Sequence, residues 1–256
     1  MELIKSDKGK LVAAITAVNY IKDGMSIGLG SGSTAALMVE YLSKQDSKAN
    51  SILGVPTSKE TEKLARHNGL RLTTLDNVKL LDLTIDGADE CDENYNLIKG
   101  GGAALLHEKI VAKASRRVII IADESKYRKN LGSFPLPVEV IKFGWLSSKA
   151  QIHSILKRYG FKDFEIKRRM NGPSGLETDE GNYILDLYLN VINDPVGLSK
   201  DLNLIPGVIE NGLFIGLCDT LILGKANGEV KVYDRLTGKI IVKRVATDEL
   251  NRMLDE

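Results

Sequence analysis

Several segments of the 256-residue chain carry residue types suited to acid–base chemistry on a small anion. Residues 28–34 read Gly-Leu-Gly-Ser-Gly-Ser-Thr, between a predicted strand and a predicted helix. Glycines let backbone N–H groups approach a ligand, and the hydroxyls of Ser31, Ser33 and Thr34 add donors for phosphate oxygens, with Gly32 between them. Position 33 breaks the dinucleotide fingerprint and the P-loop lysine is missing. We interpret the segment as a loop for a small phosphate ester; an ordinary turn is the alternative.

The second segment, 86–92, reads Asp-Gly-Ala-Asp-Glu-Cys-Asp and follows a predicted strand at 80–85. Asp86 and Asp89, with Gly87 and Ala88 between them, therefore fall outside the carboxyl end of a strand, where open α/β sheets bind ligands. A calcium loop is the rival interpretation, but the EF-hand spacing is absent. Acids exposed to solvent in a loop are the other alternative.

The third segment begins at Lys99 and continues through Gly100, Gly101 and Gly102 into a predicted helix. Three consecutive glycines usually mark a backbone that passes close to something else. On the helix, Glu108 falls within an arc of alanine, leucine and valine side chains. Such a carboxylate loses solvation and holds a proton more readily, as a general base requires. A glutamate that reaches solvent is the alternative.

A fourth segment, 122–126, reads Ala-Asp-Glu-Ser-Lys and follows the apolar strand predicted at 118–122. Lys126 could neutralise a phosphate or hold a substrate oxygen. By itself the segment is equally typical of a surface loop.

The elements that position these segments alternate along the first half of the chain. The pattern predicts helices over 10–21, 35–42 and 103–115 and one ending at 67, with strands over 25–29, 51–55, 70–73, 80–85 and 118–122. Such alternation predicts a Rossmann-like, mainly parallel sheet with helices on both faces. We assign this α/β domain to residues 1–134 and 211–256.

The pattern changes after Phe134-Pro135-Leu136-Pro137. It predicts a strand at 138–141, a helix at 147–159, strands at 164–169 and 183–191, a helix at 195–203 and a strand at 208–214. This βαββαβ order is that of a ferredoxin-like α+β unit, assigned to 135–210. Asn227-Gly228 predicts a hairpin, and 247–254 a terminal helix.

Composition excludes several classes of protein. Lys and Arg total 35 against 34 for Asp and Glu, so no overall field attracts nucleic acid or a membrane. Aromatic residues at 5% are too few for a base-stacking platform, and apolar runs are too short for a membrane span. Cys91 and Cys218 are too few for a disulfide framework or a zinc site, and no targeting signal precedes the first helix. We therefore expect a reduced, cytoplasmic enzyme that needs no metal.

Taken together, the motifs resemble ribose-5-phosphate isomerase of the A type. The resemblance covers about 10–233 and rests on the motifs at 30–36, 86–90, 99–105, 108–110, 122–126 and 134–140, which match in order and spacing. It implies a Rossmann-like domain with a smaller α+β domain and no organic or metal cofactor. It also implies a homodimer or homotetramer that interconverts ribose 5-phosphate and ribulose 5-phosphate in the non-oxidative pentose phosphate pathway.

The resemblance also assigns roles by motif. Glu108 corresponds to the base that moves a proton between C2 and C1, and Lys99 to the cation beside the enediolate oxygen. Asp86 and Asp89 would handle hydroxyl protons and ring opening. The binding residues would be Ser31, Gly32, Ser33, Thr34, Gly87, Ala88, Gly100, Gly101, Gly102, Lys126 and, aligned less closely, Lys10. Residues after Tyr233 extend beyond the usual family end.

Two other classes of protein share parts of the pattern. A nicotinamide-dependent oxidoreductase would use the same fold, although the broken fingerprint argues against it. A non-catalytic sensor of sugar phosphates would keep the phosphate loop. It would have no need of Glu108, Lys99 and both aspartates together.

Overall fold

The computed structural model describes residues 5–248 and residue 250. The chain divides into two compact units. The first comprises Met1–Ala88, His107–Tyr127 and Leu217–Glu256, and the second comprises Asp89–Leu106 and Arg128–Gly216. The helix predicted at 247–254 lies mostly outside the described residues. No helix among those described is long and apolar enough to cross a lipid bilayer.

The first unit is built on a seven-stranded sheet. Its strands are β1 (Ser26–Leu29), β2 (Leu53–Pro56), β3 (Leu83–Gly87), β6 (Val118–Asp123), β12 (Thr220–Gly224), β13 (Glu229–Asp234) and β14 (Lys239–Arg244). The spatial order is β14-β13-β12-β6-β3-β1-β2. Strands β2, β1, β3, β6 and β12 pair in parallel, so their carboxyl ends share one edge of the sheet. Strands β13 and β14 are added antiparallel, the first through the hairpin predicted at Asn227-Gly228.

Helices cover both faces of this sheet, as predicted. They are α1 (Lys5–Val18), α2 (Ser33–Ser43), α3 (Asp46–Ser51), α4 (Lys59–His67), α5 (Leu75–Val78) and α6 (Leu105–Lys113). Ile27 and Leu29 of β1 join the apolar core formed with α1 and α2. Gly28 points to the opposite face, because side chains alternate along a strand. There a Cβ would lie 2.6 Å from Val111 of α6, so α6 packs closely against the second face.

The second unit contains a four-stranded antiparallel sheet. The helices and strands of the whole unit are β4 (Glu90–Cys91), β5 (Leu97–Ile98), β7 (Leu136–Val140), α7 (Trp145–Arg158), β8 (Glu165–Arg168), β9 (Tyr183–Tyr188), α8 (Pro195–Asn203), β10 (Val208–Asn211) and β11 (Leu213–Phe214). Helix α7 connects β7 to β8, and helix α8 connects β9 to β10. The larger sheet has the order β10-β7-β9-β8. Numbered within the motif, this is 4-1-3-2, which confirms the ferredoxin-like βαββαβ topology.

Three local predictions were wrong. Residues 70–73 form only an isolated bridge from Leu72 to Gly54, since α5 begins soon afterwards. The helix predicted from 103 begins at Leu105, because Ala103 adopts a φ of 60°. The single strand predicted at 208–214 is broken at Gly212, whose N–H donates to Pro137 and whose carbonyl accepts from Lys99.

The second unit extends beyond residues 135–210. Residues 213–214 form β11, which pairs with β5 rather than continuing the larger sheet, and β5 pairs with β4. This three-stranded sheet brings Asp89–Leu106 into the second unit. The segment 86–92 is thereby divided between the two units after Ala88, and the segment that begins at Lys99 is divided between them after Leu106.

Candidate active site

The glycine–serine loop lies at the carboxyl end of β1, in the first unit. Gly32 occupies the position before α2 with a φ of 89°, and Ser33 is the first residue of the helix. Glycine offers no side-chain acceptor, so the N–H groups of the first helical turn are left for another partner. A helix N-terminus of this kind attracts anions. Ser33 is exposed at this end, whereas Thr34 is 9% exposed.

A cluster of hydroxyl groups supports this loop from the carboxyl end of β2. Ser31 Oγ lies 2.7 Å from Thr57 Oγ1 and 2.8 Å from Ser58 Oγ. Thr61 Oγ1 donates to the Gly30 carbonyl at 2.9 Å, and Ser58 caps α4 by accepting from Thr61 N–H. The Ser31 hydroxyl is therefore engaged within the protein. The sequence pattern did not single out Thr57, Ser58 or Thr61 for this supporting role.

Asp86 is the penultimate residue of β3, beside the same loop, and is 2% exposed. Its Oδ1 accepts from the N–H groups of Ser31, at 3.0 Å, and of Gly87, at 2.7 Å. A Cβ at Gly30 would lie 2.2 Å from that oxygen. Gly30 is thus a glycine because Asp86 occupies the space that a side chain would need.

Glu108 lies in α6 and is 4% exposed. The same helix buries Val111 and Ala112, and Val111 packs with Val55 and Leu81. The apolar arc seen in the sequence therefore does correspond to a buried side of the helix. A carboxylate held there is removed from bulk water, an environment that suits a general base.

The two predicted phosphate-binding lysines belong to different elements of the first unit. Lys126 ends a short 3₁₀ helix, Glu124–Lys126, at the carboxyl end of β6. Lys10 lies in α1 and pairs with Asp7 at 3.0 Å. The preceding residue, Gly9, packs closely on Gly224, so this turn of α1 lies at the carboxyl end of β12.

Lys99 is fixed within the second unit and is 3% exposed. Its N–H donates to the Gly212 carbonyl at 2.9 Å, and its ammonium lies 5.5 Å from the centre of the Phe214 ring. A Cβ at Gly212 would lie 2.5 Å from the Lys99 carbonyl oxygen. Gly212 is a further supporting residue that the sequence pattern did not reveal, because its partner is 113 positions away in the chain.

The three glycines after Lys99 are not equivalent. Gly100 has a φ of 99°, which favours glycine. Gly101 donates its N–H to Asp89 Oδ2 at 2.7 Å, and a Cβ there would lie 2.5 Å from Asp89 Oδ1. At Gly102 a Cβ would meet no atom within 4 Å. Gly100 is therefore required by its backbone conformation, Gly101 accommodates the Asp89 carboxylate, and Gly102 leaves open space.

The predicted site residues thus form one group in each unit. The first unit contains the start of α2, Asp86 and the buried Glu108. The second contributes Lys99 and Asp89, both on or beside the glycine turn. A carboxylate base, a cation for a developing oxyanion and two further carboxylates are the groups needed to move a proton next to a carbonyl. Among the described residues, no cluster of three His, Cys, Asp or Glu side chains could hold a metal ion.

A cavity of about 470 Å³ in the first unit has a different lining. It is formed by residues of β2, α4, α5 and α6, including Arg66, Leu75, His107 and Ile110. None of the predicted site residues lines it.

Comparisons of the whole sequence with known proteins point to one family. Residues 53–228 match the model of the family described as ribose 5-phosphate isomerase A (phosphoriboisomerase A). A protein named ribose-5-phosphate isomerase A from Jannaschia sp. (strain CCS1) is 50% identical over 100% of this chain and 98% of its own length. One from Ruegeria sp. (strain TM1040) is 51% identical over 97% of each chain.

Solved structures show the same likeness. A D-ribose-5-phosphate isomerase in complex with phospho-erythronic acid has a TM-score of 0.83 and 38% identity, covering 91% of this chain and 100% of its own. The ribose 5-phosphate isomerase from Plasmodium falciparum has a TM-score of 0.80 and 34% identity, covering 93% and 99%.

Proposed function

The chain belongs to the ribose 5-phosphate isomerase A family, and we propose that Glu108 is the base with which it performs the family's reaction. The enzyme is an aldose–ketose isomerase that interconverts D-ribose 5-phosphate and D-ribulose 5-phosphate. The observation that carries the assignment of the base is a carboxylate 4% exposed on an otherwise apolar helix side. We place the reaction in the non-oxidative pentose phosphate pathway.

The proposed chemistry moves one proton from C2 to C1 and one from O2 to O1, and it leaves the oxidation state of the molecule unchanged overall. In the open-chain aldose, the Glu108 carboxylate removes the proton from C2. The C2–H electrons form the C1–C2 double bond, and the carbonyl electrons move to O1 as an enediolate. Proton exchange between the two oxygens lets O2 become the ketone, and Glu108 returns its proton to C1.

The other groups lower the energy of the enediolate and handle hydroxyl protons. Lys99 places a positive charge beside the oxygen that gains electrons, which stabilises the transition state more than the bound substrate. Asp86 and Asp89 exchange protons with sugar hydroxyls during ring opening. Each is already oriented by a backbone N–H group, from Ser31 and Gly101 respectively.

We assign the phosphate to the start of α2. Gly32, Ser33 and Thr34 offer N–H groups and hydroxyls there, and Lys126 and Lys10 would add positive charge from neighbouring elements. Phospho-erythronic acid, the ligand of the similar solved structure, combines a phosphate with a second acidic group. Such a molecule resembles the charge distribution of an enediolate phosphate.

The test is turnover of ribose 5-phosphate by the purified chain in deuterated water, with and without EDTA and NAD. We expect ribulose 5-phosphate to form, unaffected by either addition. Deuterium should appear in part at C1, because the Glu108 carboxyl exchanges its proton with solvent between the two transfers. Dependence on NAD would instead support the oxidoreductase, and a requirement for added metal would contradict the proposed mechanism. Binding of phospho-erythronic acid without any turnover would support the sensor.

We further propose a cytoplasmic homodimer or homotetramer. Cys91 and Cys218 are both buried and form no disulfide, which suits a reducing compartment. Light scattering of the purified protein should give two or four times the 28.0 kDa chain mass. A monomer with full activity would contradict the proposed assembly.

A further inference from the structure

Arg169, which no sequence motif singled out, makes hydrogen bonds with both of its terminal nitrogens. The residue follows β8, and its side chain crosses to Asp186 on β9. Nε donates to Asp186 Oδ2 at 2.8 Å, and Nη2 donates to Oδ1. Nη1 donates to the carbonyls of Gly100, at 2.8 Å, and of Gly101, at 2.9 Å. One guanidinium therefore joins the antiparallel sheet to the glycine turn.

The pair is built into the second unit rather than placed on its surface. The Arg169 and Asp186 side chains are 14% and 11% exposed. Asp186 lies on an interior strand, where it pairs with Pro137 on one side and Lys167 on the other. Because the guanidinium is planar and its donors are fixed, the position of Asp186 sets the direction of the bonds to the turn.

The turn held by Arg169 is the one that positions two proposed catalytic groups. Gly101 uses its carbonyl for Arg169 and its N–H for Asp89. Lys99 precedes the same turn and is tied on its other side to Gly212. Glycine gives this stretch unusual backbone freedom, so side-chain hydrogen bonds must supply its rigidity.

We propose that Arg169 is a positioning residue for the isomerisation, acting through Gly100 and Gly101 on Asp89 and Lys99. This inference rests on the roles proposed for those two residues. Without Arg169, the turn would move and the lysine and aspartate would lose their alignment with the enediolate. Phosphate binding would change little, because the start of α2 belongs to another part of the chain.

The central experiment compares Arg169→Met with Arg117→Met. Arg117 provides a matched control: its Nη2 bonds Asp234 at 2.9 Å and Thr220 Oγ1 at 2.8 Å, at the amino end of β6. For Arg169→Met we expect kcat to fall on the order of 10- to 100-fold with KM within about threefold, as misalignment by about 1 Å produces. Arg117→Met should lower thermal stability and leave both constants near wild type.

Hydrogen–deuterium exchange gives a readout independent of turnover. Amides of residues 99–104 should exchange faster in Arg169→Met and remain unchanged in Arg117→Met. Should the wild-type chain fail to isomerise ribose 5-phosphate, the proposed function fails, while exchange still reports whether Arg169 holds the turn. A folded Arg169→Met that keeps wild-type exchange, or a kcat within about twofold, overturns the inference.

Conservative variants cover the case in which Arg169→Met does not fold. Arg169→Lys keeps the charge but cannot bond Asp186 and both carbonyls together, so its kcat should fall between wild type and Arg169→Met. Asp186→Asn leaves Nη1 on the carbonyls and should lower kcat by about three- to tenfold. Wild-type kcat in both variants would contradict the proposal.

Discussion

Each of the two glycine-rich segments orients one aspartate side chain, but different groups hold the two segments in place. In the loop after β1, Gly30 leaves space for Asp86, and the N–H of Ser31 binds that carboxylate. In the turn after Lys99, Gly101 leaves space for Asp89 and binds it through its own N–H. Each segment thus combines a missing side chain with a backbone donor to orient one aspartate.

The supports behind the segments differ. Neutral hydroxyls of Thr57, Ser58 and Thr61 surround the first loop, at the edge of a parallel sheet. A single charged pair, Arg169 and Asp186, holds the second. The first support is spread over many groups, and the second is concentrated in one guanidinium. Loss of a single side chain should therefore affect the second segment more.

The largest expected loss of kcat comes from changing Glu108, the proposed base, and its size shows whether Asp86 or Asp89 could act as the base instead. Glu108→Gln keeps shape and hydrogen bonding but cannot accept the C2 proton. General-base catalysis contributes on the order of 10²–10⁴-fold, so kcat should fall by about that factor with KM little changed. Exchange of the C1 proton of ribulose 5-phosphate with deuterated water should also stop.

Glu165→Gln, on the exposed face of β8, is the matched control and should behave as wild type. If Glu108→Gln turns over within about threefold of wild type, the base is elsewhere. Asp86 or Asp89 would then take that role, and the two segments would no longer be equivalent.

The second test adds one methyl group to each segment. Gly30→Ala places a Cβ 2.5 Å from the Asp86 backbone, so we expect the free energy of unfolding to fall by about 1–3 kcal/mol. Gly101→Ala meets only the end of the Asp89 side chain, which can move. Its stability should change by less than about 1 kcal/mol, while kcat falls on the order of tenfold because Asp89 is displaced.

Gly102→Ala is the stability control for both, since a Cβ there meets open space. Urea unfolding and steady-state kinetics measure the two quantities. Equal loss of stability in Gly30→Ala and Gly102→Ala would show that contact with Asp86 does not explain why a glycine occupies position 30.

A smaller effect is expected from the hydroxyl of Thr34. If it binds phosphate, Thr34→Ala should raise KM about three- to tenfold with less change in kcat, since the interaction persists from bound substrate to transition state. Thr34→Ser retains the hydroxyl and should restore most of the loss. Equal kinetics of the wild type with ribose and ribose 5-phosphate would remove the phosphate site from the first segment.

The smallest effect on turnover should come from the strand farthest along the sheet. All six residues of β14 are exposed, whereas Val245, just after it, packs into the core of the first unit. Deletion of residues 236–256 should lower the melting temperature or change oligomer size. Turnover per folded site should remain within about twofold, because neither glycine segment lies there. A folded truncation with no activity would show that this end of the chain contributes to catalysis.

Much of the architecture could be predicted from local pattern. The alternation of apolar segments predicted the parallel sheet, and the second half predicted the βαββαβ order, because hydrophobic periodicity records which face is buried. Predictions failed where a distant partner decided the outcome. The strand predicted at 208–214 breaks at Gly212 because Lys99 and Pro137 take its backbone groups.

The candidate site shows the same division. Asp86, Asp89, Lys99 and Glu108 could be named from residue type and spacing, since the carboxyl ends of strands and an apolar helix side are visible in sequence. The hydroxyls that contact Ser31 and the guanidinium that binds Gly100 could not be named in this way, because they belong to residues 26 to 69 positions away in the chain.

The sequence by itself thus determined the fold class and the chemical groups available, through periodicity and residue type. Tertiary structure decided which glycines are required and which residues hold them. Gly101 and Gly102 are identical neighbours in the sequence, yet only Gly101 has a carboxylate where its side chain would be. What a side chain at either position would meet depends on atoms that come from elsewhere in the sequence.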